Sequence, residues 1–146
     1  NATHQFFSCF KADGKLKTQI GESLDDRMGD ALESGLERYQ KVLLIGCDCP
    51  IIDTAIMHEA FYQLEQFENI FIPVEDGGFS LIGTTKFSNT IFENVIWGSD
   101  VVMKQIRVNL KKYNYSWNEL DTLWDVDDIH DYYRLSALMP QLTDDL

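Results

Sequence analysis

Lys41-Val42-Leu43-Leu44-Ile45-Gly46 is a brief, unbroken apolar run closed by glycine, set between longer amphipathic stretches. Apolar side chains at successive positions suit a strand buried on both faces of a parallel sheet. Ahead of it, Leu24, Met28, Ala31, Leu32 and Leu36 recur at helical spacing, which predicts a helix over 24–39 with charges on its outer face. Behind it, Asp53 is placed to cap a helix whose stripe is Ile56, Ala60, Phe61 and Leu64, ending near Phe67. Residues 69–74 and 79–84 read as two strands joined by Glu75-Asp76-Gly77-Gly78. Ser99 is the expected cap of a helix reaching Tyr113, residues 116–126 hold a further strand, and Asp127 or Asp128 caps a last helix to about Leu138, before Pro140. Strands alternating with helices predict an α/β fold, a three-layer sandwich with a mostly parallel sheet and helices on both faces.

At 146 residues, 45% of them hydrophobic, the chain can bury a sizeable core, and residues 1–146 read as a single domain. Asp and Glu number 24 against 12 Lys and Arg, so a net charge of -12 repels phosphate backbones and anionic lipid. Nucleic acid and membrane are therefore not expected partners. Lys11, Lys15 and Lys17 make the start locally basic, which reads as a solvated terminus or an anion contact. Three cysteines, with Cys47 and Cys49 flanking one residue, fit neither a disulfide framework nor the usual zinc spacing. No apolar run approaches the roughly 20 residues that span a bilayer. Reduced thiols and a cytoplasmic location are the resulting expectation.

In sheets of this class, ligands collect at the carboxyl ends of strands. Acidic residues follow the apolar runs here: Asp48, the pair Glu75 and Asp76, and Asp125 with Asp127. Carboxylate oxygens suit Mg²⁺ or Mn²⁺, which keeps open positions for the phosphates of a nucleotide. Each acid taken singly also has a local explanation, as a helix cap or a turn residue.

Leu43-Leu44-Ile45-Gly46-Cys47-Asp48-Cys49-Pro50, Glu75-Asp76-Gly77-Gly78-Phe79-Ser80-Leu81-Ile82-Gly83 and Leu123-Trp124-Asp125-Val126-Asp127 resemble, in order, three motifs of a bacterial glycosyltransferase family with a GT-A fold, similar to cofactor guanylyltransferases and described as nucleotide-diphospho-sugar transferases. Gln19, Gly21, Leu24, Arg27 and Met28 echo a further motif, so the resemblance runs from about Gln19 to Leu135. It implies that Asp48 and Asp127 hold the divalent metal, with Asp125 as a secondary candidate. It further implies that Glu75 and Asp76 face the acceptor as catalytic groups, and that Gly77, Gly78, Trp97 and Ser99 contact substrate. Gly98 stands where the family has serine, and Ser23 and Asp25 depart from the expected residues. The family also has a leading strand-helix-strand segment with a basic glycine-containing loop that grips the nucleotide. The chain has no room for it, so an incomplete, N-terminally truncated GT-A fold is expected; Lys11-Ala12-Asp13-Gly14-Lys15-Leu16-Lys17-Thr18 lacks the preceding strand that the loop needs.

His4, His58 and His130 share no metal-ligand spacing with the cysteines, and Trp117 and Trp124 read as core. Two functions follow. One is a metal-dependent transferase moving a sugar from a nucleotide-diphospho-sugar to an acceptor. The other is a non-catalytic remnant or small-ligand binding module that self-associates, forming a homo-oligomer that covers an exposed sheet edge.

Overall fold

The computed structural model describes residues 17–140. Lys11 and Lys15, and with them most of the basic string, lie outside the described residues, as do His4 and Cys9. Ser23 opens α1 (Leu24–Leu36) through a capping box with Asp26, each side chain accepting the other's backbone N–H. β1 (Val42–Ile45) follows. Asp53 caps α2 (Thr54–Gln63) by accepting from Ile56 N at 2.9 Å. The hairpin of β2 (Asn69–Pro73) and β3 (Phe79–Thr84) leads to a 3₁₀ turn over Asn89–Phe92 and then α3 (Val102–Lys112). The chain continues through β4 (Trp117–Glu119) to α4 (Ile129–Leu138), where Asp128 accepts from His130 N and Asp131 N.

The sheet order is β1-β3-β2-β4. The fold is the expected α/β one, with a sheet that is mixed rather than wholly parallel: β3 runs antiparallel to both β1 and β2, while β2 and β4 pair in parallel. Glu75–Gly78 is too short for a parallel crossover, which takes about a dozen residues, so it can only be a hairpin turn. β1, β2 and β4 nevertheless point the same way, and their carboxyl ends share one edge with the start of β3.

Alternation along the central strands divides the core. Phe71 and Ile82 join Leu32 of α1, Ile91 and Phe92 of the 3₁₀ turn, and Met103, Ile106 and Leu110 of α3. Ile70, Ile72 and Leu81 pack with Ala60 and Leu64 of α2 on the other face. Burying one such side chain contributes about 1.5–3 kcal/mol, so the first face carries more of the stability. The expected burial of β1 on both faces is also corrected: among the described residues β1 is an edge strand, its side chains are half-buried, and Ile45 is 36% exposed. Ser99 does not cap α3. The helix starts later, with Val101 at the cap position and no side-chain cap, while Ser99 Oγ donates to Ile96 O at 2.6 Å. No described helix is long and apolar enough to cross a membrane.

Candidate functional site

Backbone hydrogen bonds draw three acidic loops together at the shared edge. Gly46 N donates to Ser80 O at 2.8 Å, which ties the end of β1 to β3. Val126 N donates to Asp48 O at 2.9 Å, and Glu75 N to Leu123 O at 3.1 Å, so the segment after β4 touches both other loops. Leu123 N donates to Pro73 O at 3.0 Å, and Val74 and Leu123 form a parallel bridge that prolongs the β2–β4 pairing. As a result, Asp76, Asp125 and Asp127 each offer one oxygen, and these oxygens lie within 4.8 Å of one another. Asp48, the metal candidate at the end of β1, lines a cavity of about 530 Å³ together with Asp76 and Asp125. The remaining wall is largely apolar and includes Met28, Leu44, Phe79 and Trp97.

Among the described residues, none of Asp48, Asp76, Asp125 or Asp127 has an ion-pair partner. Burial raises the Asp125 carboxyl above its ordinary value, and the nearby charges of Asp76, Asp127 and Asp48 raise it further. Asp76 Oδ1 accepts from Gly78 N at 2.7 Å, which orients that carboxylate but brings no positive charge.

Ser80, only 4% exposed, also borders this cavity, but its hydroxyl is closed off from it and lies beside Cys49, whose thiol donates to Trp124 O at 3.3 Å and whose sulfur remains available to the Ser80 hydroxyl. Ser80 is the extra residue of a bulge, since Ile72 pairs with Leu81 but Pro73 pairs with Phe79. Oxygen donors from three carboxylates, with no histidine or thiol among them, match the preference of a hard divalent cation rather than of zinc.

The other sequence candidates occupy distinct places. Glu75 is held outside the acid trio by Arg134, whose guanidinium donates from Nη1 to Oε2 at 2.9 Å and from Nη2 to Oε1 at 3.1 Å. That pairing lowers the Glu75 pKa and raises that of Arg134. Gly77 takes a positive φ of 93°, and a Cβ there would come within 2.2 Å of Asp100 O. Its carbonyl accepts from Met103 N at 2.9 Å, so it fits the hairpin against the start of α3. Gly78, Trp97 and Ser99 line the cavity with Asp48. Trp97 stands edge-on to Phe92 and Phe79, with centroids at 5.4 and 6.3 Å, which fixes its ring. Asp127 closes the acid trio, with its backbone N donating to Asp131 Oδ2 at 3.2 Å. Sequence reasoning missed Arg134, the partner of Glu75, which nothing in the sequence singles out.

The family model described as "Uncharacterized protein conserved in bacteria (DUF2064)" matches residues 2–99, which include the Asp48 and Glu75–Gly78 loops. The chain belongs to this family. The Leu123–Asp127 motif lies beyond the matched span, and the family description gives no activity, so the expected glycosyltransferase family is supported only at the level of fold. Among solved structures, a "putative nucleotide-diphospho-sugar transferase" from Desulfovibrio desulfuricans G20 is 27% identical, with a TM-score of 0.73. The likeness covers 81% of this chain and 54% of that one, so the DUF2064 chain spans about half the length of that structure. No curated protein matches the chain.

Proposed function

We infer that this DUF2064 chain carries the metal-binding part of a transferase that moves a sugar from a nucleotide-diphospho-sugar to an acceptor hydroxyl. The observation that carries the reading is the gathering of Asp76, Asp125 and Asp127 from two separate loops, without an ion-pair partner among the described residues, beside a cavity that Asp48 also lines. The name of the Desulfovibrio desulfuricans G20 structure supports the donor class. Asp76, Asp125 and Asp127 would hold Mg²⁺ or Mn²⁺, with Asp48 facing the same space. The bound cation would supply charge to offset the departing diphosphate. Trp97 offers a fixed aromatic face against which a sugar can lie.

The proposed catalytic pair divides. Glu75 is the poorer proton acceptor, since Arg134 occupies both its oxygens and lowers its pKa. Asp76 stays with the site as a ligand and as a group oriented toward the cavity. A reducing compartment accords with free thiols at Cys47 and Cys49, which supports a cytoplasmic setting.

The experiment is a titration of the full-length gene product with Mn²⁺, Mg²⁺ and a panel of nucleotide-diphospho-sugars. Saturable cation binding that strengthens nucleotide-sugar binding is the expected result; absence of both retires the reading. The open edge of β1 favours a second reading, a binding module that self-associates along that strand. Light scattering tests it, and a clean monomer at high concentration counts against it.

A further inference from the structure

α3 borders a second cavity, which shares no residue with the acid one. Val102 lines the acid cavity, whereas its chain neighbour Val101 lines a space of about 450 Å³ with Lys104, Gln105 and Asn109. Asn109 is the buried member, only 7% exposed. Its amide nitrogen donates to Ile91 O at 3.0 Å and to Glu93 O at 2.8 Å, which ties α3 to the 3₁₀ turn and its exit. Both amide hydrogens are thereby used. The amide oxygen, Oδ1, has no hydrogen-bond partner and, unlike both amide atoms of Asn69, is not sealed from solvent. A residue more than nine-tenths buried thus offers one acceptor to the cavity that it lines.

The rim supplies donors. Gln105 Oε1 accepts from Ile96 N at 2.8 Å, which leaves its amide nitrogen as the end without a partner. Lys112 Nζ donates to Glu93 Oε2 at 2.7 Å, and Lys104 has no ion-pair partner among the described residues. Lys104 and Lys112 against Glu93 give the lining one excess positive charge, in a chain whose net charge is -12. A monoanion matches that excess, whereas a zwitterion leaves it unmet. Val101 and Val108 add apolar contact beside the polar groups.

We propose that this cavity is a second ligand site, which takes a small carboxylate bearing a hydroxyl. The carboxylate pairs with Lys104, and the hydroxyl donates to Asn109 Oδ1. The site is independent of the transferase reading, because it uses none of the residues of the acid corner. The probe is L-lactate, titrated without metal into the full-length gene product and followed by amide NMR shifts. Saturable shifts at Asn94, at residues 101–109 and at the Asn109 side-chain amide are expected. Propionate keeps the carboxylate and lacks the hydroxyl, so it should bind about tenfold more weakly, since it leaves the Asn109 acceptor unmet. Lys104→Gln should weaken lactate binding about threefold, the range of an exposed ion pair, with an unfolding midpoint near that of the parent. Equal affinity for lactate and propionate overturns the site, as does parent-like affinity in Lys104→Gln. Shifts that never saturate, or that fall at the acid corner instead, overturn it too.

Discussion

Glu119 and Asp125 lie six residues apart in sequence, yet they end in opposite electrostatic situations. Glu119, on β4, receives Arg107 Nε and Nη2 at 2.7 Å each, and the pairing holds its carboxyl below the ordinary value. Asp125 meets burial and the charges of Asp76, Asp127 and Asp48, and its carboxyl is pushed the other way. The first corner is completed by a cation of the chain, whereas the second has no ion-pair partner among the described residues. An acidic protein is thus not uniformly acidic in function: the informative carboxylates are the ones without a partner.

The largest effect that could break this contrast is at the cation itself. At a Mn²⁺ concentration of a hundred times its dissociation constant, binding adds about 2.7 kcal/mol to stability, or about 5–10 °C in unfolding midpoint for a chain of this size. Scanning calorimetry should show that rise in the parent and not in Asp125→Ala or Asp76→Ala, and a rise retained in both variants would dissolve the trio as a site. Next in size, Arg107→Ala should cost about 1 kcal/mol in denaturant unfolding, since the pair is partly screened by solvent. The same change should leave Mn²⁺ affinity untouched, because that corner has its own balance.

Acid titration of stability sharpens the contrast with a smaller signal. The Glu119 carboxyl is lowered in the folded state, so its stabilisation is present above its unfolded value and is lost as pH falls through its folded value. The Asp125 carboxyl is raised, so its stabilisation is present below its unfolded value and is lost as pH rises through its folded value. In metal-free protein between about pH 3 and 6, Asp125→Asn should remove a loss of stability on raising pH, and Glu119→Gln should remove a gain. Identical slopes in the two variants would erase the distinction.

The smallest effect concerns a buried amide far from either corner. Asn69 is fully buried with both amide atoms unpartnered, and it does not line the acid cavity. Asn69→Leu should be neutral or slightly stabilising, within about 1 kcal/mol, and should not alter Mn²⁺ binding. A metal defect in that variant would show that cation binding is not confined to the acid corner.

Much of this layout was legible because it depends on local chemistry. Asp53 announces α2 through its carboxylate, and the apolar runs at 42–45, 69–73 and 79–84 announce strands by composition. The antiparallel direction of β3 is carried by the five-residue link from β2, which the helix-strand alternation elsewhere in the chain outweighs. The acidic loops were found, but the sequence cannot show that Asp76 and Asp125 approach Asp127, because backbone bonds far apart in the chain bring them together. Arg134 left no trace for the same reason: its meaning lies in touching Glu75, 59 residues away. Ser99 resembled a cap, but its hydroxyl turns back to Ile96 and the helix begins beyond it.

Gly77 presses its bare α-carbon toward the Asp100 carbonyl and takes a hydrogen from Met103 N, so the hairpin tip and the first turn of α3 behave as one stiff jaw. Even a methyl group would have to pry them apart. The same contact sets the spacing between the hairpin tip, with Asp76 and Gly78, and Val102 of α3, which face one another across one side of the cavity.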